Sequence, residues 1–454
     1  MLLKSKVTLL REHSTYTRAR FHTVEENLDQ DKGLVIAPVW SVHMTGAPVL
    51  LTADQYQYVA YFDQDEYLTV AQRSLDTSIW KICRLADIQS NWETGVHHAI
   101  ALQIDRQQMI HVMGAMHAEP LKYYRMTRAH DMASFQRYPQ MLDHDETSVS
   151  YPRFFRDGVD ALYVTYRDGR SGNGNQFINR YDEEAGRWIR VMSEPLLDGT
   201  ALDMSAYING PHVGPDGFFH LLWMWRNTPD VLTNHDLCYA RSRDLMHWET
   251  ITGTALTLPI TLHTDGVIVD PVPVQSGLVN TTYTLSFDAQ QRPLISYHKY
   301  DQDGNSQIYL ARYTSEQWQI EPATRWSYRW QFGGTGAIPE DVHIDPVTVG
   351  LDGTLWLHYN HNLYGEGMIN LDAQTLQPLH PSAPVLMPRA WLESYSQPLS
   401  PFTARPMTVD WIADTGRSEQ EYVLRWEHGP INNDRPVAQP WPAPTLLRLY
   451  QHDR

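Results

Sequence analysis

Five arginines and three aspartates fall within YPRFFRDGVDALYVTYRDGRSGNGNQFINR, residues 151–180 of a chain whose formal charge is -17. Guanidinium groups gathered beside tyrosines and a Gly-rich turn, in an otherwise acidic protein, are suited to holding an anion. Arg167 closes a strand-like run after Tyr166, and Asp168 to Gly174 reads as a turn. At that mouth a guanidinium can clamp a carboxylate through two parallel hydrogen bonds. The competing reading pairs these arginines with Asp157, Asp160 and Asp168 as a structural network. Tyr151 precedes Pro152, which biases its backbone towards an extended form. Upstream, His97, His98 and His117 open two successive strand-loop units, and imidazole moves protons near neutral pH. Together these groups suit an acidic sugar attacked by elimination.

Further strand ends carry polar side chains of the same kind. Arg226 ends an aromatic run in WMWRN, and His298 with Lys299 ends another in YHKYDQDGN; with His98 and His235 they are candidate substrate contacts. His235 and Cys238 have a His-x-x-Cys spacing with His220 and His247 nearby, which would suit structural zinc if a second pair joined them. Asp301, Asp303 and Asn305 could bind calcium, or make a tight turn. The chemistry itself calls for no metal or other cofactor if arginine and histidine neutralise the substrate.

The elements that position these groups recur. A turn bearing Asp, Gly or Gln followed by an alternating apolar strand begins at Phe62, Ile104, Arg156, Pro215, Phe287 and Leu351. The spacing is near that of four-stranded propeller blades. Six instances, plus a blade shared by the two termini, predict an all-β, seven-bladed β-propeller. It would be a single domain over 1–454, its ring closed by N- and C-terminal strands. SRDLMHWE, 242–249, resembles the Asp-box turn of sialidase-type propellers without the usual Gly.

Composition sets the outer bounds. Hydrophobic content of 42% and charge of 20% are those of a globular chain with an ample core. The net negative charge argues against nucleic acid or an anionic membrane as partner. Only Cys83 and Cys238 occur, so no disulfide framework is indicated. MLLKSKVTLLREHST lacks the apolar core of a signal peptide and no run approaches membrane-span length. As written the chain reads as cytoplasmic; a preceding leader would make it secreted.

The sequence resembles the BNR-repeat propellers that include ulvan lyases and rhamnosyl-α-1,4-glucuronate lyases. The likeness runs from about Val39 to Arg435 and is carried above all by YRDGRSGNGN and NHDLCYARSRD, with VHHAI, GAMHAEPLKYYR, SYPRFF, GPDGFFHLLWMWRNTPD and LRWEHGPINNDRP in support. It implies cleavage at C4 of a glucuronate carrying rhamnose, by β-elimination, leaving a 4,5-unsaturated uronate. It also implies that His97 and His117 are paired active-site histidines, completed by Tyr151, Arg167 and Tyr207. Two departures stand out: His98 occupies the place of an expected Asn, and Ala115 replaces an Asn before Met116-His117.

On this reading Arg167 neutralises the uronate carboxylate so that the C5 proton can leave. His97 is the favoured base, and Tyr151 or His117 protonates the departing O4; nearby arginine favours a tyrosinate, which would reverse the roles. Rivals are an α-L-rhamnosidase using His43, and a non-catalytic carbohydrate-binding propeller. A hydrolase would need two carboxyl groups about 5–9.5 Å apart across one bond, and no such pair stands out. A sialidase would need an arginine cluster with a Tyr-Glu pair, which is not evident either.

Overall fold

The computed structural model describes residues 20–25, 33–42, 46–90, 97–379, 408–414, 421–430 and 434–452. His43 lies outside them. The described chain is built of β-strands with a few single-turn 3₁₀ segments. Among the described residues no helix is long and apolar enough to cross a membrane.

The strands form six hydrogen-bonded sheets. The largest splits at one parallel pairing, Gly174 with Ser205, into two antiparallel units. Seven antiparallel units result. Unit one holds Val49–Ala53 through Ile79–Gln89, with Arg20–Glu25 at its outer edge. Unit two holds Ala101–Ile104, Ile110–Met113, Tyr123–Met126 and Phe135–Tyr138. Unit three centres on Val149–Arg156, Leu162–Arg170 and Asn173–Asp182, and unit four on Ser205–Val213, Phe219–Arg226 and Asn234–Ser242. Unit five runs from Tyr283–Phe287 to Gln317–Pro322, and unit six from Val342–Ile344 to Gly365–Leu371. In unit seven, Thr408–Ala413, Glu421–His428 and Thr445–His452 are joined by the N-terminal strand Leu34–Val39, with Leu34 opposite Leu449 and Val39 opposite Thr445. The expected pairing of N- and C-terminal strands is therefore present.

Period-two alternation explains the stacking. Along Phe219–Arg226, Leu221, Trp223 and Trp225 pack with unit three, whereas Leu222 and Met224 pack with unit five. Unit one divides likewise: Tyr58, Ala60 and Phe62 face unit two, and Val59 and Tyr61 face unit seven. A strand buried on both faces must be apolar throughout, which is why FHLLWMWR has almost no polar residue. Six clusters of this kind fill the spaces between successive units, from the seven–one contact round to the five–six contact. Each fully buried aliphatic side chain contributes about 1.5–3 kcal/mol. The molecule is an all-β propeller.

All six strands expected after the turn motifs are present, the one after Phe62 as the third strand of unit one, Tyr67–Ser74, and the other five as the second long strand of their units. The turns owe their shape to their aspartates. Asp63, Asp105, Asp157 and Asp288 each accept backbone N–H groups from two to four residues on. The acidic turn after Lys299 is another of these: Asp301 accepts from the N–H groups of Asp303 and Asn305 and from Gln307. Asp-box geometry holds at 242–249, where Ser242 and Asp244 cap the turn and Trp248 is buried behind it. Leu245 takes a left-handed φ of 65° there. Cys83 and Cys238 are both buried and free, in units one and four.

Candidate active site

In a propeller with this strand order, the starts of the first strands and the ends of the second strands meet on one face. Tyr151 and Tyr207 come from first-strand starts in units three and four, and Arg167 and Arg226 from second-strand ends. His117 lies on the short strand His117–Glu119, which pairs with Val149–Arg156. His97 arrives from the segment entering unit two.

These six side chains form one cluster. The rings of His97 and His117 are 4.9 Å apart between centroids, and Tyr151 lies 6.1 Å and 5.4 Å from them. Tyr151 OH is 3.3 Å from His117 Nε2, and Arg167 Nη2 is 3.5 Å from the same nitrogen. Both are donors, so the His117 lone pair sits on Nε2 and its proton on Nδ1. The guanidinium of Arg167 lies between the rings of Tyr151 and Tyr207, at 5.0 Å and 5.6 Å. Its Nη2 donates to Ser150 Oγ at 3.1 Å. Ser150 Oγ also accepts the Ala118 N–H, which ties the His117 strand to the arginine.

Arg167 is 1% exposed, yet its Nε and Nη1 have no hydrogen-bond partner among the described residues. Burying a cation without a counter-charge costs several kcal/mol. A counter-charge arriving beside the guanidinium would offset that cost. Gly174 makes room for the arginine stem, since a Cβ there would stand 3.0 Å from Arg167 Cδ. Gly172 is fixed by its left-handed φ of 74° and by the close approach of Thr228.

The two phenols are pushed in opposite directions. Burial and the neighbouring Tyr207 raise Tyr151 well above the ordinary tyrosine range despite the two arginines. Burial also acts to raise Tyr207, but Arg226 and Arg167, with a hydrogen bond from Ser171, bring it below its ordinary value. Arg226 Nη1 donates to Tyr207 OH at 3.0 Å, and Ser171 Oγ is 2.7 Å from the same oxygen. Burial, with the neighbouring His97 and Arg167, lowers His117 to about 3. Tyr151 is therefore a proton donor and His117 a neutral ring, while Tyr207 is the more acidic phenol.

Not every expected contact reaches this cluster. His98 is buried, with Nδ1 2.7 Å from Ser90 Oγ, and supports the loop that carries His97. His235 is held inside its own turn by Asp236 and Asn227. His298 is fully buried; its Nδ1 donates to Gly277 O at 2.6 Å and Trp330 and Phe332 pack against it. Lys299 pairs with Asp270 at 2.5 Å, over the ring of Tyr309. Among the described residues no group of three or more His, Cys, Asp or Glu side chains is placed to hold a metal. His220, for its part, is bonded to Asp216 and Tyr239.

Residue types alone did not single out Asp434, Ser150, Ser171 or Asn280. Asp434 Oδ2 lies 3.1 Å from His97 Nε2, and Asn280 accepts from Arg226 Nη2 at 2.5 Å. Ser150 stands in SYPRFF and Asp434 in NNDRP, both within segments that carry the resemblance. The departure at Ala115 has a visible consequence. Ala115 is buried with a left-handed φ of 56°, a conformation Asn adopts more readily than Ala.

Residues 56–326 match the model of a family described as BNR repeat-containing family member. Among solved structures, the chain resembles that of the polysaccharide lyase Uly1, with a TM-score of 0.58 at 13% identity, covering 95% of this chain and 99% of the other. It resembles a PL25 ulvan lyase with a TM-score of 0.56 at 13% identity, covering 93% and 96%. The same figures hold for the ulvan lyase bound to -[GlcA(1-4)Rha3S]-. At such identity the likeness is one of fold. No curated protein sequence matches this chain.

Proposed function

We propose that this chain, which belongs to the BNR repeat-containing family, is a polysaccharide lyase cleaving a rhamnosyl-α-1,4-glucuronate linkage by β-elimination. We take its seven units as the blades of one closed domain. The single observation that carries the reading is Arg167, a buried guanidinium whose Nε and Nη1 lack a hydrogen-bond partner among the described residues, beside two imidazoles and two phenols. That constellation meets each demand of elimination from a uronate. The carboxylate takes the Arg167 guanidinium as its counter-charge, which stabilises the charge that builds on it as C5 loses its proton. His97 takes the proton, the C5–H electrons form the C4–C5 double bond, and the C4–O4 bond breaks. Tyr151, held protonated, gives its hydrogen to O4. Solvent exchange restores both groups between turnovers. The lowered phenol of Tyr207 makes it the second candidate base.

The substrate class rests on the resemblance and on the ulvan lyase neighbours, whose ligand contains a GlcA(1-4)Rha3S unit. The test is incubation with ulvan and with rhamnose-capped arabinogalactan, following far-ultraviolet absorbance and free rhamnose together. Elimination raises the absorbance of a 4,5-unsaturated uronate. Saturated products from both polymers would exclude the lyase and favour a hydrolase; retention without turnover would favour a lectin.

A further inference from the structure

Asp434 joins the cluster from the far end of the chain. Its Oδ2 is 3.1 Å from His97 Nε2, with the two side chains 16% and 26% exposed. A carboxylate only accepts hydrogen bonds, so Nε2 of His97 must carry the hydrogen and the lone pair of the neutral ring falls on Nδ1. Across the cluster, His117 is set the other way, because Tyr151 and Arg167 both donate to its Nε2. Two imidazoles 4.9 Å apart are thereby held in opposite tautomers.

Asp434 is anchored to do this. Its own φ is 56°, a left-handed value that Asp tolerates. The segment after it is pinned where unit seven meets the N-terminal strand. Trp441 packs edge-on against Trp40 at 5.3 Å and donates from Nε1 to Val437 O, and Ser41 Oγ donates to Ala443 O at 2.9 Å. Gly46 lets the opposite wall close in, since a Cβ there would stand 2.2 Å from His98 O.

We infer that Asp434 is the positioning residue of His97: it fixes the imidazole as the Nε2–H tautomer and leaves Nδ1 as the atom that accepts the substrate proton. This deepens the lyase reading and rests on it for the proton transfer, though not for the tautomer. A carboxylate that orients a catalytic imidazole in this way acts mainly on turnover.

The decisive comparison uses the full chain with ¹⁵N-labelled histidine, wild type against Asp434→Asn, with His97 signals identified by their loss in His97→Gln. At mildly alkaline pH the wild type should show long-range ¹H–¹⁵N correlations of an Nε2–H ring. In Asp434→Asn that pattern should give way to Nδ1–H or an averaged mixture, with His117 unchanged. In parallel, kcat on ulvan or a rhamnose-glucuronate oligosaccharide should fall on the order of 10²–10⁴-fold with KM within about 3-fold. Asp434→Glu should recover to within about 10-fold of wild type. An unaltered His97 tautomer in Asp434→Asn, or a change confined to the melting temperature, would overturn the assignment. Should the wild type fail to eliminate on any uronate polymer, the tautomer result still decides the role of Asp434, and only the lyase reading falls.

Discussion

Units three and four end their second strands in Arg167 and Arg226, whereas units five and six end theirs in His298 and His361. All four side chains are buried and three of them keep an unpartnered nitrogen among the described residues, yet their surroundings differ. The two guanidiniums sit among phenols, and Arg167 keeps two N–H groups free of protein partners. The two imidazoles are fully buried beneath the chain that follows Gln317–Pro322. Trp330 and Phe332 cover His298, while Trp326, Tyr328 and Tyr364 surround His361. Hydrogen bonds pin that cover: Ser306 N–H to Tyr328 O, Tyr300 OH to Trp330 O, and Val231 N–H to Gly334 O. Strand ends on this face offer several polar heads, and a crossing segment covers those of units five and six.

The contrast can be broken most sharply at Arg167. Arg167→Ala should lower kcat/KM on a uronate polymer by on the order of 10³-fold, measured by initial rates in the far ultraviolet. Arg167→Lys should recover little of it, because a compact ammonium cannot replace the planar guanidinium between Tyr151 and Tyr207 that also bonds Ser150. A loss no larger than that at a covered position would erase the distinction between the two halves.

Within the open half, the phenols separate next. Tyr151→Phe should reduce kcat about 10²-fold with substrate binding retained, as loss of the proton donor to O4. Tyr207→Phe should have the smaller effect if His97 is the base. A reversal of that order, read from kcat and KM for both variants, would transfer the base to Tyr207.

The covered half should respond in stability and hardly in rate. His298→Gln should leave kcat/KM within about 3-fold while costing about 1–3 kcal/mol in urea unfolding, through loss of the bond to Gly277. Burial lowers His298 from 6.5 to about 4. The unfolded chain therefore takes up this proton first, and stability falls as pH drops from 6.5 towards 4. Gln has no proton to gain, so the variant should show a shallower acid slope, the remainder coming from other shifted groups, among them His117 and His212, the latter also lowered to about 4. Urea midpoints across that range give the answer, and identical slopes would place His298 in solvent.

The strand–turn repeats could be read because their causes are local. An aspartate that bonds its own turn and an apolar run of period two are both visible within about ten residues. The Arg-Tyr stretch was legible for the same reason, and His97 and His117 through the likeness of VHHAI and GAMHAEP. Burial by a distant loop leaves no local mark, so His298 looked like Arg226, although Trp330 and Phe332 cover it from beyond the next two strands. The surroundings of His235 and His98 were no easier to read, since their partners Asn227 and Ser90 are ordinary polar residues. Asp434 could not be linked to His97 without the pairing of Leu34–Val39 with Thr445–His452, which brings the two chain ends together.

The central claim is that a guanidinium-held hexuronate loses the hydrogen on C5. Substrate deuterated at that carbon tests it directly. The labelled polymer should turn over more slowly, with the label absent from a 4,5-unsaturated product. Equal rates together with a saturated product that keeps its deuterium would contradict it.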